Sequence, residues 1–324
     1  MRLEDVATRA GVAADTARRA LRGAPSVRPY IRERVLKAAK ELNYHPNLVA
    51  RALRDNTLGF VPILAPMVGE MYFGNLAAAI ARSVVAAGLQ PALCISPEHL
   101  LKMSLSFPTR GCILASAAET ETIAKLGRNQ KVVVIGTDFP TTRDAAAVSI
   151  GFDAAYRALA KTLVLRGRRK IAIVSEFYQT CLDRGWPLQK FPFLIDALRR
   201  QGLKPVQPRP GAVFSSGAEL AAWIVEHPGS VDAAVCENDL AASHVVGELA
   251  PLKLVSPDDL TIVGCDANCK LKGTWSVKLD TAAIAEIAVD ALVKLMDDQE
   301  IPPALHYKPV LLDEHDQPIT KNAD

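Results

Sequence analysis

The chain has 324 residues, 49% of them apolar, which excludes global disorder and exceeds what one ordinary small domain needs. Its formal charge of +3 is unevenly divided, with net +6 on residues 1–56 and net −3 on the remainder. A small basic head on a mildly acidic body is the asymmetry expected when one end meets a polyanion. No apolar run approaches the ~20 residues of a membrane-spanning helix, and the amino terminus enters an amphipathic polar pattern directly, so no signal peptide is expected. A cytoplasmic protein with no membrane partner is therefore expected. The six cysteines are scattered, and only Cys265 and Cys269 are near neighbours, with no second Cys or His pair at metal-like spacing. Reduced thiols, no metal and no cofactor are expected.

In chain order, "RLEDVATRAG" places Leu3, Val6, Ala7 and Ala10 on one face of a helix that Gly11 stops. A second helix follows Val12, with the Thr16 methyl, Ala17, Ala20 and Leu21 inward, and ends at Gly23. After the turn signals "GAPSVRP", a third helix in "YIRERVLKAAKELNY" aligns Ile31, Val35, Ala38 and Leu42. Two short helices around a tight turn, supported by a third, predict a helix-turn-helix headpiece. In that motif the first residues of the second helix reach base edges in the major groove. Here they are Ala14, which packs on a thymine methyl, and Asp15, a carboxylate suited to accept from the cytosine amino group. Arg18, Arg19 and Arg22 suit phosphates, or one of them a guanine edge. A solvated basic helix explains the arginines alone; the three-helix setting favours DNA. Leu3, Ala13, Thr16 and Tyr44 complete the candidate DNA-contacting set of the headpiece.

"LEDVATRAGVAADTARRALRG" followed by "VRPYIRERVLKAAKELNYHPNLVARALR" resembles, without a gap, the headpiece of the lactose-repressor/galactose-repressor family of bacterial transcription factors. The resemblance implies that "PNLVARAL" is a hinge helix that folds when two subunits pair on an operator. It gives Asn47 the cap and a backbone contact, Ala50 the approach to its mate, and Leu53 the wedge in the minor groove. Physics agrees: a leucine pushed between base pairs unstacks and kinks the duplex, and an isolated eight-residue helix is too short to hold in water. The small hydroxyl residues usual early in the family's recognition helix are replaced by Ala13 and Arg18, so operator sequence does not carry over.

Beyond Leu58 the pattern alternates apolar runs with helical stretches. "LGFVPILAP", "QPALCIS", "GCILAS", "KVVVIGTD", "KIAIVSE", "AAVCEND" and "LTIVGCD" each read as a buried strand, which predicts parallel sheets covered on both faces. Several end in polar tips: Thr137 and Asp138, Ser175 and Glu176, Asn238 and Asp239, Asp266. In open α/β sheets such tips point into one ligand crevice. This body resembles the same family's two-lobed periplasmic-binding-protein-like core. The fold expected is thus an all-α helix-turn-helix headpiece plus an α/β two-lobed core with parallel sheets. The divisions are 1–46 headpiece, 47–56 hinge helix and 57–324 core, the first lobe about 57–150 and 281–300 and the second about 151–280 and 305–315.

By the resemblance, "CENDLAA" and "VGCDA" turn Asn238 and Asp266 toward the cleft, and "MYFGNL" offers Tyr72 or Phe73 as a lining aromatic. Asn238 serves equally as a helix cap, and a cap is the preferred reading for Asp239. The family's acidic residue after the crossover strand is replaced at Gly151, and its arginine before "PFLIDALRRQGL" gives way to Gln189 and Lys190, with Arg184 earlier. The family's Asp-Gly pair before "CILAS" reads Arg110-Gly111. These losses argue against a simple hexose and favour a more anionic ligand helped by Arg110, Arg184 or Lys190, or a silent pocket.

The function expected is a homodimeric transcriptional repressor on a near-palindromic double-stranded operator, modulated by a small polar effector: a sugar, a sugar derivative or another polar metabolite. The alternatives are a small-molecule sensor with vestigial DNA binding and a regulator whose pocket binds no effector. An enzyme is not expected. There is no Ser-His-Asp order, no paired-carboxylate motif and no glycine-rich phosphate loop, and His99, His227, His244, His306 and His315 are scattered. The alanines of "FGNLAAAIARSVVAAG" suit either a dimer contact or core packing, and the tail lacks the leucine heptads of a tetramer-forming coiled coil.

Overall fold

The computed structural model describes residues 1–44, 60–107, 109–115, 126–127, 130–136, 144–183, 190–253, 260–302 and 304–319. They fall into two compact units, Met1–Gly59 and Phe60–Asp324. The expected hinge helix with Asn47, Ala50 and Leu53 lies outside the described residues, as do Thr137, Asp138, Arg184 and Gln189.

The first unit holds α1 (Leu3–Ala10), α2 (Ala14–Leu21) and α3 (Pro29–Glu41). Its core is built of small side chains: Ala7, Ala10, Ala17, Ala20, Ala38 and Ala39 around Val6, Val27 and Val35. Short side chains let three short helices approach closely, and the amphipathic spacing read from the sequence faces this core. Thr16, Leu21, Ile31 and Leu42 are half-buried at its margin. Gly11 ends α1 at φ +62°, a conformation that favours glycine, and a Cβ there would lie 2.8 Å from Arg34 Nη2. That guanidinium donates to the Ala10 carbonyl at 2.6 Å, tying α3 to the end of α1.

The second unit contains two sheets. The first has the order β10-β5-β4-β3-β1-β2, built from β1 (Phe60–Leu64), β2 (Gln90–Cys94), β3 (Gly111–Leu114), β4 (Lys131–Ile135), β5 (Ala145–Ile150) and β10 (Leu305–Tyr307). All its pairings are parallel. The second has the order β11-β9-β8-β7-β6, from β6 (Ile171–Val174), β7 (Ala233–Cys236), β8 (Thr261–Asp266), β9 (Trp275–Lys278) and β11 (Val310–Leu312), with β11 alone antiparallel. All seven apolar runs read as strands are strands. Sequence reading passed over β9, whose "WSVK" is too short to announce itself between a turn and a helix.

The central strands serve two cores, one per face, because side chains alternate along them. In the first sheet Ile63, Ile113 and Val133 face one core, while Leu64, Leu114 and Val134 face the other. In the second, Ile173 and Val235 face the shared core and Val174 and Cys236 a separate one. Helices α4 (Met71–Ala86) and α11 (Thr281–Met296) cover one side of the first sheet, and α5 (Pro97–Ser106) packs on the other. Helices α6 (Phe152–Leu165) and α8 (Phe191–Arg200) cover the second sheet from the shared core, with α9 (Gly217–Glu226) and α10 (Asp239–Leu249) opposite. A short helix, α7 (Tyr178–Asp183), follows β6.

The chain passes between the sheets at Gly151, after Leu279 and at 308–309. Residues 305–315, read from the sequence as one piece of the second lobe, are divided by the last crossing. Strand β10 completes the edge of β5 in the first sheet and only β11 joins the second. Tyr307 anchors this edge, its buried phenol accepting from Asp280 N–H at 2.7 Å.

Candidate nucleic-acid interface and ligand cavity

In the first unit, α2 and its caps present Ala13, Asp15, Arg19 and Arg22 exposed, with Ala14, Thr16 and Arg18 half-buried. Two of the basic groups are held in place. Arg18 Nη1 meets Asp15 Oδ1 at 2.8 Å, and Arg19 Nη2 donates to Ser26 Oγ at 2.5 Å. The Asp15 carboxylate therefore anchors its neighbouring arginine while it reaches toward any partner of the helix tip. Ala13 is the N-cap and supplies no side-chain bond. The first N–H groups of α2 thus have no side-chain cap, and a helix end of this kind is positive and suited to an anion. Leu3 and Tyr44 lie half-buried against the headpiece core.

In the second unit a cavity of about 190 Å³ opens where strand ends and loops of the two sheets face one another. Of the residues singled out from sequence, Tyr72, Phe73, Lys190, Asn238 and Asp266 all line it. Tyr72 and Phe73 come from the first turn of α4 and pack edge to face, ring centres 5.2 Å apart. The others come from the second lobe. Asn75 Nδ2 donates to Asn268 Oδ1 at 3.1 Å, a hydrogen bond from α4 to the loop after β8, so the two lobes touch at the cavity itself.

Asp266 ends β8 at φ +92°, a backbone conformation that costs energy for a branched side chain and marks a position held by its surroundings. Its Oδ1 lies 3.5 Å from Lys190 Nζ. Lys190 also donates to the Glu237 carbonyl at 2.6 Å and sits 5.9 Å over the Phe152 ring. Burial alone would lower this ammonium; the charge of Asp266, with Cys265 and Tyr156 added, outweighs it and holds Lys190 well above its ordinary range. Asp239 is almost fully buried and accepts from Ser276 Oγ at 2.7 Å. Burial, reinforced by the Asp266 charge, pushes its carboxyl up to about 6. Burial likewise raises Glu237, whose carboxylate accepts from Ser175 Oγ and from the N–H groups of Glu176 and Phe177.

Two sequence expectations are corrected. The cap of α10 is Asn238, whose Oδ1 accepts from Ala241 N–H at 2.8 Å, and not Asp239, which as first residue of the helix turns inward to Ser276. Asn238 lines the cavity as well, so its two readings are compatible. Arg110 is not at the cavity: it donates to the Met296 carbonyl and to Asp297 Oδ1, closing the C-terminal end of α11, where free carbonyls draw a cation. Sequence reading also missed Glu237, Asn268 and the phenylalanines Phe152 and Phe177 of the wall. Glu237 stood in the quoted "CENDLAA", one residue before the asparagine chosen. Phe177 had no signal, because its position depends on how the loop after β6 turns.

Residues 2–47 match the model of the bacterial regulatory proteins, lacI family, and residues 160–313 match the periplasmic binding protein-like domain. The chain belongs to the LacI family of bacterial regulatory proteins. This LacI-family chain is 27% identical over 316 residues to the HTH-type transcriptional regulator GntR of Pseudomonas aeruginosa, spanning 92% of the chain and 90% of that regulator. The Lac repressor bound to ONPG in the repressed state shares its fold, with a TM-score of 0.80 at 19% identity over 98% of this chain and 99% of that one. The transcriptional regulator CelR in its cellobiose complex gives 0.62 at 20% identity, over 98% and 100% of the two chains. The chain is accordingly a DNA-binding transcriptional regulator, and its relatives are regulators rather than enzymes.

Proposed function

We propose that this LacI-family chain is a cytoplasmic homodimeric repressor whose two headpieces bind a near-palindromic operator, and that a small polar effector in the cavity controls the grip. The observation that carries the effector clause is the composition of the cavity wall, with Tyr72 and Phe73 from one lobe and Lys190, Asn238 and Asp266 from the other. A ligand touching both lobes binds with a strength that depends on their separation, which is the differential affinity a switch requires. Neighbours of the same fold include a regulator complexed with cellobiose and another with lactose. For the DNA clause the support is the exposed basic face and uncapped tip of α2.

Self-association is supported by β2, an edge strand that leaves Leu93 exposed and is followed by exposed Ile95, and by exposed Val85 on the helix packed against it. Apolar side chains on an open edge are a liability unless a partner covers them. In the proposed complex the segment 47–56 forms the hinge helices, with Asn47 as cap, Ala50 against its mate and Leu53 in the minor groove. Domain limits follow as headpiece 1–46, hinge 47–56 and core 57–324.

The test is fluorescence anisotropy of the purified chain on palindromic and random duplexes across a salt series. Affinity should fall steeply with salt and favour the cognate duplex. Arg19→Ala should weaken binding to all duplexes, and Leu53→Ala should remove most of the cognate preference. Salt-independent binding, or binding indifferent to both substitutions, rules the proposal out.

A further inference from the structure

The electrostatics of the cavity run against an anionic ligand. Among the described residues its wall carries four carboxylates, Glu70, Glu237, Asp239 and Asp266, and a single cation, Lys190. That cation is already committed, with the Glu237 carbonyl at 2.6 Å and Asp266 at 3.5 Å. Arg110, one candidate for a second positive charge on sequence grounds, is spent at the end of α11, and Arg184 lies outside the described residues. The Glu237 carboxylate is also occupied, by Ser175 and two backbone N–H groups.

Two other carboxylates are not saturated. Asp239 Oδ2 is buried without a hydrogen-bond donor, and Asp266 Oδ1 has only the Lys190 ammonium at 3.5 Å, although both residues are more than nine-tenths buried. The Tyr72 hydroxyl and Asn268 Nδ2 in the same wall lack hydrogen-bond partners too. Buried acceptors of this kind are costly when left unmade and reward a donor that reaches them. A further negative charge here would face the existing ones where water is partly excluded, with no uncommitted described cation to offset it. Apolar side chains, Phe73 and Phe177 among them, supply much of the rest of the wall.

We propose that the cavity takes a ligand without negative charge, uncharged or cationic, which offers O–H or N–H donors to Asp239 and Asp266 and an apolar face to Phe73 and Phe177, and that it excludes carboxylated and phosphorylated ligands. The inference rests on the reading of this cavity as the effector site, and it reverses the anionic preference expected from sequence. The rise of the Asp239 carboxyl to about 6, caused first by burial, is in keeping with a site that already holds too much negative charge.

The test uses the full-length protein and probes matched in scaffold but not in charge: glucosamine, glucose and glucuronate; adenosine and AMP; cytidine and CMP. Binding is read by calorimetry and by thermal shift. In at least one set the uncharged or cationic member should bind about tenfold or more tighter than its anionic counterpart. In Asp239→Asn that preference should narrow, which a merely structural aspartate would not cause. Tighter binding of glucuronate, AMP or CMP overturns the charge assignment and leaves the effector site standing. No binding in any set overturns both the charge assignment and the effector clause, while duplex binding by the headpiece would still stand on its own assay.

Discussion

Lys190 and Asp266 show how strongly one side chain depends on another in this cavity. The aspartate is 8% exposed at its side chain and the lysine 23%, so neither charge is well hydrated. Removing one leaves the other buried and alone, which is far costlier than removing both. Lys190→Met should lower stability by about 3 kcal/mol, and adding Asp266→Asn should recover much of the loss. Urea unfolding of the two single variants and the double variant measures this, and strict additivity of the single costs would show that the ion pair is not the link. Asp239 gives a pH test. Its folded value of about 6 lies above the ordinary 3.8, so the native state binds a proton that the unfolded chain lacks in between. Its contribution to stability therefore grows as pH falls from about 6 toward 4, and above that window the buried charge is a penalty. Asp239→Asn keeps an acceptor for Ser276 and should raise the melting temperature at pH 7.5 by a few degrees, roughly 2–4 °C per kcal/mol recovered. The gain should vanish near pH 4; an equal gain at both pH values excludes titration as its source.

Among the elements, the approach of α9 to α10 is set by a glycine. A Cβ on Gly217 would lie 2.9 Å from Val245 N and 3.0 Å from its Cα, both backbone atoms that cannot swing away. Gly217→Ala should destabilise the second lobe by about 1–3 kcal/mol, seen as a lower denaturation midpoint without loss of headpiece folding. An unchanged midpoint would mean the helices separate freely. The headpiece uses the same device with alanine. Ala17 and Ala20 on α2 are buried in one cluster with Val35, so the helix that carries the candidate DNA face is fixed by side chains too small to adopt alternative packings. Its periodicity was legible in the sequence because a single face is buried. Strand β9 was not, since four residues carry too little pattern to separate a strand from a loop.

For the whole molecule, the proposed dimer predicts a clear failure. Ile95 is 60% exposed just beyond the edge strand β2. Ile95→Asp would put an unpaired carboxylate into an apolar contact and should shift the protein toward monomer, with cognate-duplex affinity falling at least about tenfold as pairing of headpieces is lost. Light scattering and anisotropy read the two effects together. A monomeric variant that still binds the cognate duplex at full strength would separate self-association from operator binding.

Sequence alone determined what depends on local order: three helices with one apolar face each, seven apolar runs that become strands, and a net charge concentrated at one end. These follow from periodicity and composition, which neighbours along the chain impose whatever lies across from them. Tertiary structure decided everything that depends on residues distant in sequence. It set Arg110 on the end of α11 instead of the cavity and turned Asp239 to Ser276. It also gave β10 to the first sheet and gathered four carboxylates around one committed lysine. A side chain's charge is written in the sequence, but its burial and partners are not, because they are fixed by which strands pair and where the chain crosses between sheets.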